Sequence, residues 1–227
     1  MTDEHMKSED RSERRIFAVG DIHGHYEKLL SLISKLPWNR EKDLLVFLGD
    51  YIDRGKRSKD VVEYLMNLRK GGGEIKFLLG NHEQLLLDYY FSGSDRDLKL
   101  WRSFGGWETI QSYTDGIGVL GKPSFLPSTH LDFFIRLLPY YETEQYIFVH
   151  AGLRDGVPLE RQDPDDLLWI RRSFTESNHS FGKTVVFGHT PMRSPYVSPH
   201  KIGIDTGAGY GNILTAVELP AVRFYSS

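Results

Sequence analysis

The sequence predicts an α/β fold: a largely parallel sheet with helices packed on it, a second sheet behind, and a small helical cap segment. Three observations lead there. Short apolar runs alternate with segments of helical periodicity from Ile16 to Leu79. Further apolar runs follow, bringing the strands to six or seven, more than one short β-α-β sheet accommodates. Several of these runs stop at a glycine beside Asp, Asn or His.

Taken in order, Ile16 to Val19 is the first strand, and Gly20-Asp21 ends it. From His25 to Leu36 the leucines and Ile33 recur at helical spacing, and Pro37 stops the helix. Leu44 to Leu48 is a continuous apolar run closed by Gly49-Asp50. Ser58 reads as the N-cap of a second helix, whose buried face carries Val61, Val62, Leu65 and Leu68. The triplet Gly71-Gly72-Gly73 breaks that helix. Ile75 to Leu79 is the third strand, ending at Gly80-Asn81. Residues 92–138 are less regular and rich in aromatics (Trp101, Phe104, Trp107, Phe125, Phe133 and Phe134); they read as the cap, with the aromatics serving as core. Strands resume at Tyr146–Val149, Val185–Phe187, Ile202–Ile204 and near Ile213–Leu219.

The chain reads as a polar, mobile N-terminal tail over residues 1–15 followed by one catalytic domain over 16–227. The tail lacks the apolar core of a secretory signal, so the expected compartment is cytoplasmic. A formal charge of −3 points to neither nucleic acid nor a membrane surface as a partner. With no cysteine, any metal must be held by Asp, Glu, Asn or His. Oligomeric state leaves no mark in the sequence.

The chemistry lies where the strands end. Asp21 and His23 follow the first strand, Asp50 the second, Asn81 and His82 the third, His150 the next and His189 the one after. In open α/β sheets ligands bind outside the carboxyl ends of the strands, so these side chains are delivered to one edge. Any one of them alone would read as a turn former or a cap. Asp, Asn and His repeated at successive strand ends suit Mn²⁺, Fe or Zn²⁺. A pair of such ions needs a bridging carboxylate, and Asp50, in the middle of the set, is the natural bridge.

The blocks Gly20-Asp21-Ile22-His23-Gly24, Gly49-Asp50-Tyr51-Ile52-Asp53-Arg54-Gly55, Gly80-Asn81-His82-Glu83, His150-Ala151-Gly152 and Gly188-His189-Thr190 occur in this order. The chain in this respect resembles the phosphoprotein phosphatase (serine/threonine protein phosphatase) branch of the calcineurin-like metallophosphoesterases, in its short bacterial or phage form. The resemblance spans about Ile16 to Glu218 and implies a two-sheet β-sandwich flanked by helices. It implies that Asp21 and His23 hold a first metal, that Asp50 bridges, and that Asn81, His150 and His189 hold a second. Two divalent ions, first of all Mn²⁺, would activate a water for in-line attack on phosphorus.

By the same resemblance His82 is the general acid that protonates the leaving oxygen, and Asp53 orients it. Arg54 is the phosphate-binding arginine, its planar fork matching two phosphate oxygens. A second arginine is expected in Leu168-Trp169-Ile170-Arg171-Arg172: Arg171 first, Arg172 as the fallback, with Trp169 as pocket wall or core. His25 is either a neighbour of a metal-bound water or a surface helix start. The stretch from Asp205 to Gly211 reads as the loop that closes the cleft, with Tyr210 able to reach substrate. His5, His130, His179 and His200 read as surface residues.

The expected reaction is phosphomonoester hydrolysis, on a phosphoprotein or a small phosphate ester. The intact Asp53-Arg54-Gly55 and the Glu83 after His82 favour the protein phosphatase. The alternative keeps the same dimetal chemistry on a dinucleoside polyphosphate or another nucleotide. A catalytically dead phosphate-sensing module is disfavoured because no ligand is missing, and a serine hydrolase because no Gly-x-Ser-x-Gly elbow occurs.

Overall fold

A computed structural model of the chain describes residues 14–114 and 125–227. Most of the expected N-terminal tail, His5 and part of the cap segment lie outside the described residues.

In chain order the elements begin with β1 (Ile16–Val19), α1 (Tyr26–Lys35), β2 (Leu44–Phe47), α2 (Ser58–Lys70) and β3 (Glu74–Phe77). Next is α3 (Asn81–Ser92), and the cap region supplies α4 (Asp95–Ser103), α5 (Gly106–Thr114) and α6 (Ser128–Ile135). Then come β4 (Tyr140–Glu142), β5 (Tyr146–Val149), α7 (Pro164–Trp169), α8 (Arg172–Thr175), β6 (Thr184–Phe187), β7 (Tyr196–Ser198), β8 (Lys201–Gly203), β9 (Thr215–Leu219) and β10 (Arg223–Ser226).

Two five-stranded mixed sheets form, with orders β10-β9-β1-β2-β3 and β4-β5-β6-β8-β7. In the first, β1, β2 and β3 run parallel, and β9 and β10 join antiparallel. In the second, β5, β6 and β8 run parallel between two antiparallel edges. The seven longer apolar runs were legible as strands. The extra three, β4, β7 and β10, are edge strands of mixed polarity, partly exposed, and carry no continuous apolar run to betray them.

The pleat explains why the central strands are apolar throughout. Side chains alternate between faces, and here both faces are covered. Ile16, Ala18, Leu44 and Val46 meet Phe148, Val186 and Ile202 of the other sheet in the sandwich interior. Phe17, Val19, Leu45 and Phe47 turn the other way, onto Leu29, Leu32, Val61, Val62 and Leu65 of α1 and α2. On the far side, Ile147, Val149, Val185 and Phe187 pack on Leu167, Ile170 and Phe174. A one-residue slip in either sheet would exchange these two cores, so the register is strongly held.

Two local expectations are corrected. Ser58 is not the N-cap of α2: Arg57 holds that position and Ser58 opens the helix, fully buried. His130 is not a surface residue; it is buried in α6, where its Nδ1 meets the Tyr113 hydroxyl at 2.8 Å. Sequence position could not show that α5 folds back over it. Among the described residues no helix is long and apolar enough to cross a membrane.

Candidate active site

The parallel strands of both sheets end at one edge of the sandwich. Asp21 and His23 follow β1, Asp50 follows β2, Asn81 opens α3 after β3, His150 follows β5 and His189 follows β6. All six are buried. Two groups of ligand-bearing atoms gather there, His23 with Asp50 and His82, and Asp50 with His150 and His189; Asp50 belongs to both.

Holding this arrangement strains the backbone. Among the described residues, the non-glycine residues with positive φ are His23, Asp50, Asp53, Arg54, His189 and Val222, so five of these six lie in the site. Left-handed backbone costs an L-residue about 1–2 kcal/mol, and it persists where the surroundings over-determine it. Glu83, with no exposed surface, supplies one such restraint. Its Oε2 accepts the N–H groups of Asp50 at 2.9 Å and Gly80 at 3.1 Å, and its Oε1 those of Tyr51 at 2.8 Å and Ile52 at 3.3 Å. Burial and the nearby Asp50 push the Glu83 pKa up to about 8, and the N–H of Tyr51 pulls against them. Two glycines are needed for close approach. A Cβ on Gly80 would lie 2.2 Å from Asp50 Oδ1, and one on Gly188 would lie 2.1 Å from Asp21 Oδ1.

The imidazoles are set by their outer nitrogens. His23 Nδ1 lies 3.0 Å from the carbonyl of Ile52, and His150 Nδ1 lies 2.9 Å from that of Leu48. A carbonyl only accepts, so in both rings Nδ1 carries the proton and Nε2 keeps its lone pair. Burial holds both rings below their ordinary pKa, hence neutral, although Asp50 pulls each upward. The bare Nε2 of His23 then faces Asp50 Oδ2 at 3.4 Å, and that of His150 faces Asp50 Oδ1 at 3.4 Å and Asn81 Oδ1 at 2.9 Å. His189 Nδ1 also points at Asn81 Oδ1, at 2.9 Å.

Lone pairs turned toward one another in a dry site call for cations between them. The two oxygens of Asp50 face two such groups on opposite sides. Among the described residues Asp21 Oδ1 is buried with no hydrogen-bond partner, a costly state for a polar atom unless an ion completes it. Asp21 is pushed well above the usual carboxylate range by burial and by Asp205 and Asp50, as expected where several carboxylates are crowded without their counter-ions. The donor set, oxygen and imidazole without thiolate, fits a pair of divalent ions.

His82 differs from the other imidazoles. Its Nδ1 lies 2.7 Å from Asp53 Oδ2, while its Nε2 faces the site, 3.8 Å from Asp50 Oδ2. Burial lowers its pKa, but Asp50 and Asp53 outweigh that and the net direction is upward. Proximity alone would let it join His23 and Asp50 around an ion. The buried carboxylate on its far nitrogen raises the ring's affinity for the proton a general acid must carry, although Arg54, which only donates, meets Nε2 here as an acceptor.

Arg54 reaches into the same space. Its guanidinium nitrogens lie 3.2 Å from His23 Nε2 and 3.2 Å from His82 Nε2. The Tyr210 ring covers it, with the guanidinium carbon 4.5 Å from the ring centre. Tyr210 is 61% exposed, at the mouth of the site. Its loop is held by Lys28, whose Nζ donates to the carbonyls of Ala208 at 3.0 Å and Asn212 at 2.5 Å.

Of the paired arginines, Arg171 is exposed but its charge bears on His150, His189 and Asp205; Arg172 points to Glu176 instead, at 3.9 Å. Trp169 packs edge-on against His189 and Phe104, so it walls the site and belongs to the core at once. His25 begins α1, half-buried, and makes no side-chain cap bond. Asp205, buried at the end of β8, joins the edge as a further carboxylate; burial, with Asp50, pushes its pKa up to about 6.

Sequence reasoning missed two residues that donate to the Asp53 carboxylate, and it misread a further contact of Asp53, Ser58, as a helix cap. Trp101, assigned to the core, is buried there but donates Nε1–H to Asp53 Oδ2 at 2.9 Å. Thr109 donates its hydroxyl to Asp53 Oδ1 at 2.6 Å. Both lie outside the strand-end blocks, in helices whose packing no local spacing announces.

Comparison with known proteins finds similarity along most of the chain. The family model described as calcineurin-like phosphoesterase matches residues 14–211. The asymmetrical bis(5'-nucleosyl)-tetraphosphatase PrpE of Bacillus subtilis is 28% identical, covering 92% of this chain and 92% of its own. Serine/threonine-protein phosphatase 1 of Salmonella typhimurium is 28% identical, covering 95% of this chain and 96% of its own. A crystal structure assigned provisionally as a diadenosine tetraphosphatase superposes with a TM-score of 0.71 at 24% identity, covering 96% of this chain and 94% of that one, which speaks to the fold alone.

Proposed function

The chain belongs to the calcineurin-like phosphoesterase family, and from that premise we propose that it hydrolyses dinucleoside polyphosphates of the bis(5'-nucleosyl) tetraphosphate class. Phosphoester hydrolysis rests on one observation above the rest: a single carboxylate, Asp50, faces two separate groups of buried imidazoles. The substrate class rests on the Bacillus subtilis relative, similar over nearly its full length and named for that reaction. An aromatic ring, Tyr210, at the mouth beside the phosphate-facing Arg54 suits a substrate with a base near its phosphates.

In this reading Asp21, His23 and Asp50 would hold one divalent ion, and Asp50, Asn81, His150 and His189 the other. Bound there, the ions would supply Lewis acidity and a water acidic enough to ionise near neutral pH. The chain's own groups do the rest. Arg54 binds two oxygens of the attacked phosphate through its fork. Arg171 adds positive charge from the rim. His82 gives its proton from Nε2 to the departing oxygen, and Asp53 holds the ring and stabilises the charged form before transfer. Trp169 and the loop bearing Tyr210 restrict water at the mouth.

The second reading, a serine/threonine protein phosphatase, is favoured by the Salmonella typhimurium relative, equally identical over as much of the chain. Parallel turnover decides between them. The manganese-loaded protein is given diadenosine tetraphosphate and a phosphoserine peptide, and products are followed by chromatography. The proposal expects ATP and AMP at a kcat/KM well above that for the peptide. The reverse ranking would hand the site to the second reading.

A further inference from the structure

The geometry points to Trp101 and Thr109, in the cap helices α4 and α5, as the residues that position Asp53 and through it the His82 imidazole. The inference rests on the phosphoesterase reading, in which His82 protonates the leaving oxygen.

Asp53 has no exposed surface, and both of its carboxylate oxygens are engaged. Oδ1 accepts the Thr109 hydroxyl at 2.6 Å; Oδ2 is shared between His82 Nδ1 at 2.7 Å and Trp101 Nε1 at 2.9 Å. The Thr109 oxygen also accepts the N–H of Asp53 at 2.9 Å. One hydroxyl thus closes a two-bond clasp on a residue held at φ 72. Only a group that donates and accepts at the same atom can do this, which calls for a hydroxyl, and at this short reach that of Ser or Thr.

The indole is the other half. It only donates, so it fixes Oδ2 without competing for the proton on His82. The ring is buried and stacked with Tyr89 at 5.9 Å and Phe125 at 6.2 Å between centroids. With one donor on each oxygen the carboxylate plane cannot turn, and the direction of its bond to His82 Nδ1 is set. That direction decides where Nε2 points. The turn between α4 and α5 grips the next residue as well: the carbonyl of Gly105 accepts the N–H of Arg54 at 3.1 Å. The cap therefore holds both the acid's partner and the phosphate-facing arginine.

The test uses the full-length, manganese-loaded chain with Thr109→Val, Thr109→Ser and Trp101→Phe. Turnover is measured on aryl and alkyl phosphates of differing leaving-group acidity, and the His82 Nδ1–H resonance is followed by NMR with isotope-labelled histidine in the same variants loaded with diamagnetic zinc. Thr109→Val and Trp101→Phe are expected to lower kcat about tenfold on alkyl phosphates, and much less on nitrophenyl phosphate, with KM little changed. Both should shift or broaden the His82 resonance, and Thr109→Ser should restore rate and resonance together. A loss uniform across leaving groups, a loss in KM alone, or an unmoved His82 resonance in both variants overturns the inference. A wild-type protein that hydrolyses neither a phosphate ester nor diadenosine tetraphosphate would overturn the phosphoesterase reading instead, and the resonance would still decide whether Trp101 and Thr109 orient the ring. Should Trp101→Phe fail to fold, the Thr109 pair carries the same comparison.

Discussion

His150 and Asn81 stand with Nε2 and Oδ1 2.9 Å apart, although the proton of His150 is given to the carbonyl of Leu48 on the other side of its ring. Two acceptors in that relation repel unless a cation or a proton lies between them. Metal binding should therefore stabilise the fold as well as enable turnover. Manganese at about a hundredfold excess over its Kd is expected to raise Tm by about 5–10 °C, and a chelator to reverse this. Thermal melts across a manganese titration check it, and a Tm indifferent to both additions would remove the metal centre from the account.

Asp50 is the one group shared by both clusters. Asp50→Asn keeps the shape and removes the charge both sides use. Turnover is expected to fall by at least about 10²–10³-fold. Elemental analysis should find fewer than two ions per chain. Two tightly held ions in the variant would exclude the bridging role.

His82→Asn is expected to leave the metal content intact and slow hydrolysis by about 10²–10⁴-fold on poor leaving groups, with a much smaller effect on nitrophenyl phosphate. Variant and wild type equally active on alkyl phosphates would end the proposal that His82 is the acid.

Arg54→Lys keeps the charge but loses the planar fork and the stack on Tyr210. Losing one charge-assisted bond to phosphate costs about 1.5–3 kcal/mol, so kcat/KM should drop about ten- to a hundredfold. Inhibition by inorganic phosphate should weaken in parallel. An undiminished phosphate affinity would place the phosphate elsewhere.

Far from the site, Lys201 is buried in β8, where Nζ donates to the carbonyls of Phe174 at 2.6 Å and of Ser177, and lies 4.5 Å from the centre of the Phe174 ring. It ties the end of α8 to the second sheet. Lys201→Met fills the space but leaves two carbonyls unpaired, an expected loss of about 1–3 kcal/mol. Denaturant unfolding measures it, with turnover by the folded fraction unchanged. A variant as stable as wild type would mean those carbonyls find other donors.

The strand-end blocks were legible because each couples a run of apolar residues, which must become a buried strand, to a polar residue placed just past its end. β5 and β6 carry His150 and His189 to the same edge as Asp21, His23 and Asp50 for that reason. The short edges β4, β7 and β10 were not legible, since a half-exposed strand of three or four residues has no pattern distinct from a loop. Ser58 misled as an N-cap because its hydroxyl is drawn away to Asp53 and Thr109 by contacts formed only when α2 meets α5.

The sequence by itself determined the order of the central strands, the residues at their ends, and a reaction at phosphorus supported by metal. The strands and their ends follow from short-range rules, since apolar runs bury and polar residues that interrupt them at glycines lie at a rim; the reaction follows from the family resemblance that those end blocks carry. Tertiary structure alone decided that Trp101 and Thr109 reach Asp53, that four backbone N–H groups converge on Glu83, and that Tyr210 lies over Arg54. Each of these joins residues from separate elements, and the angle at which a helix crosses a sheet depends on the packing of whole faces, which no single stretch of sequence encodes.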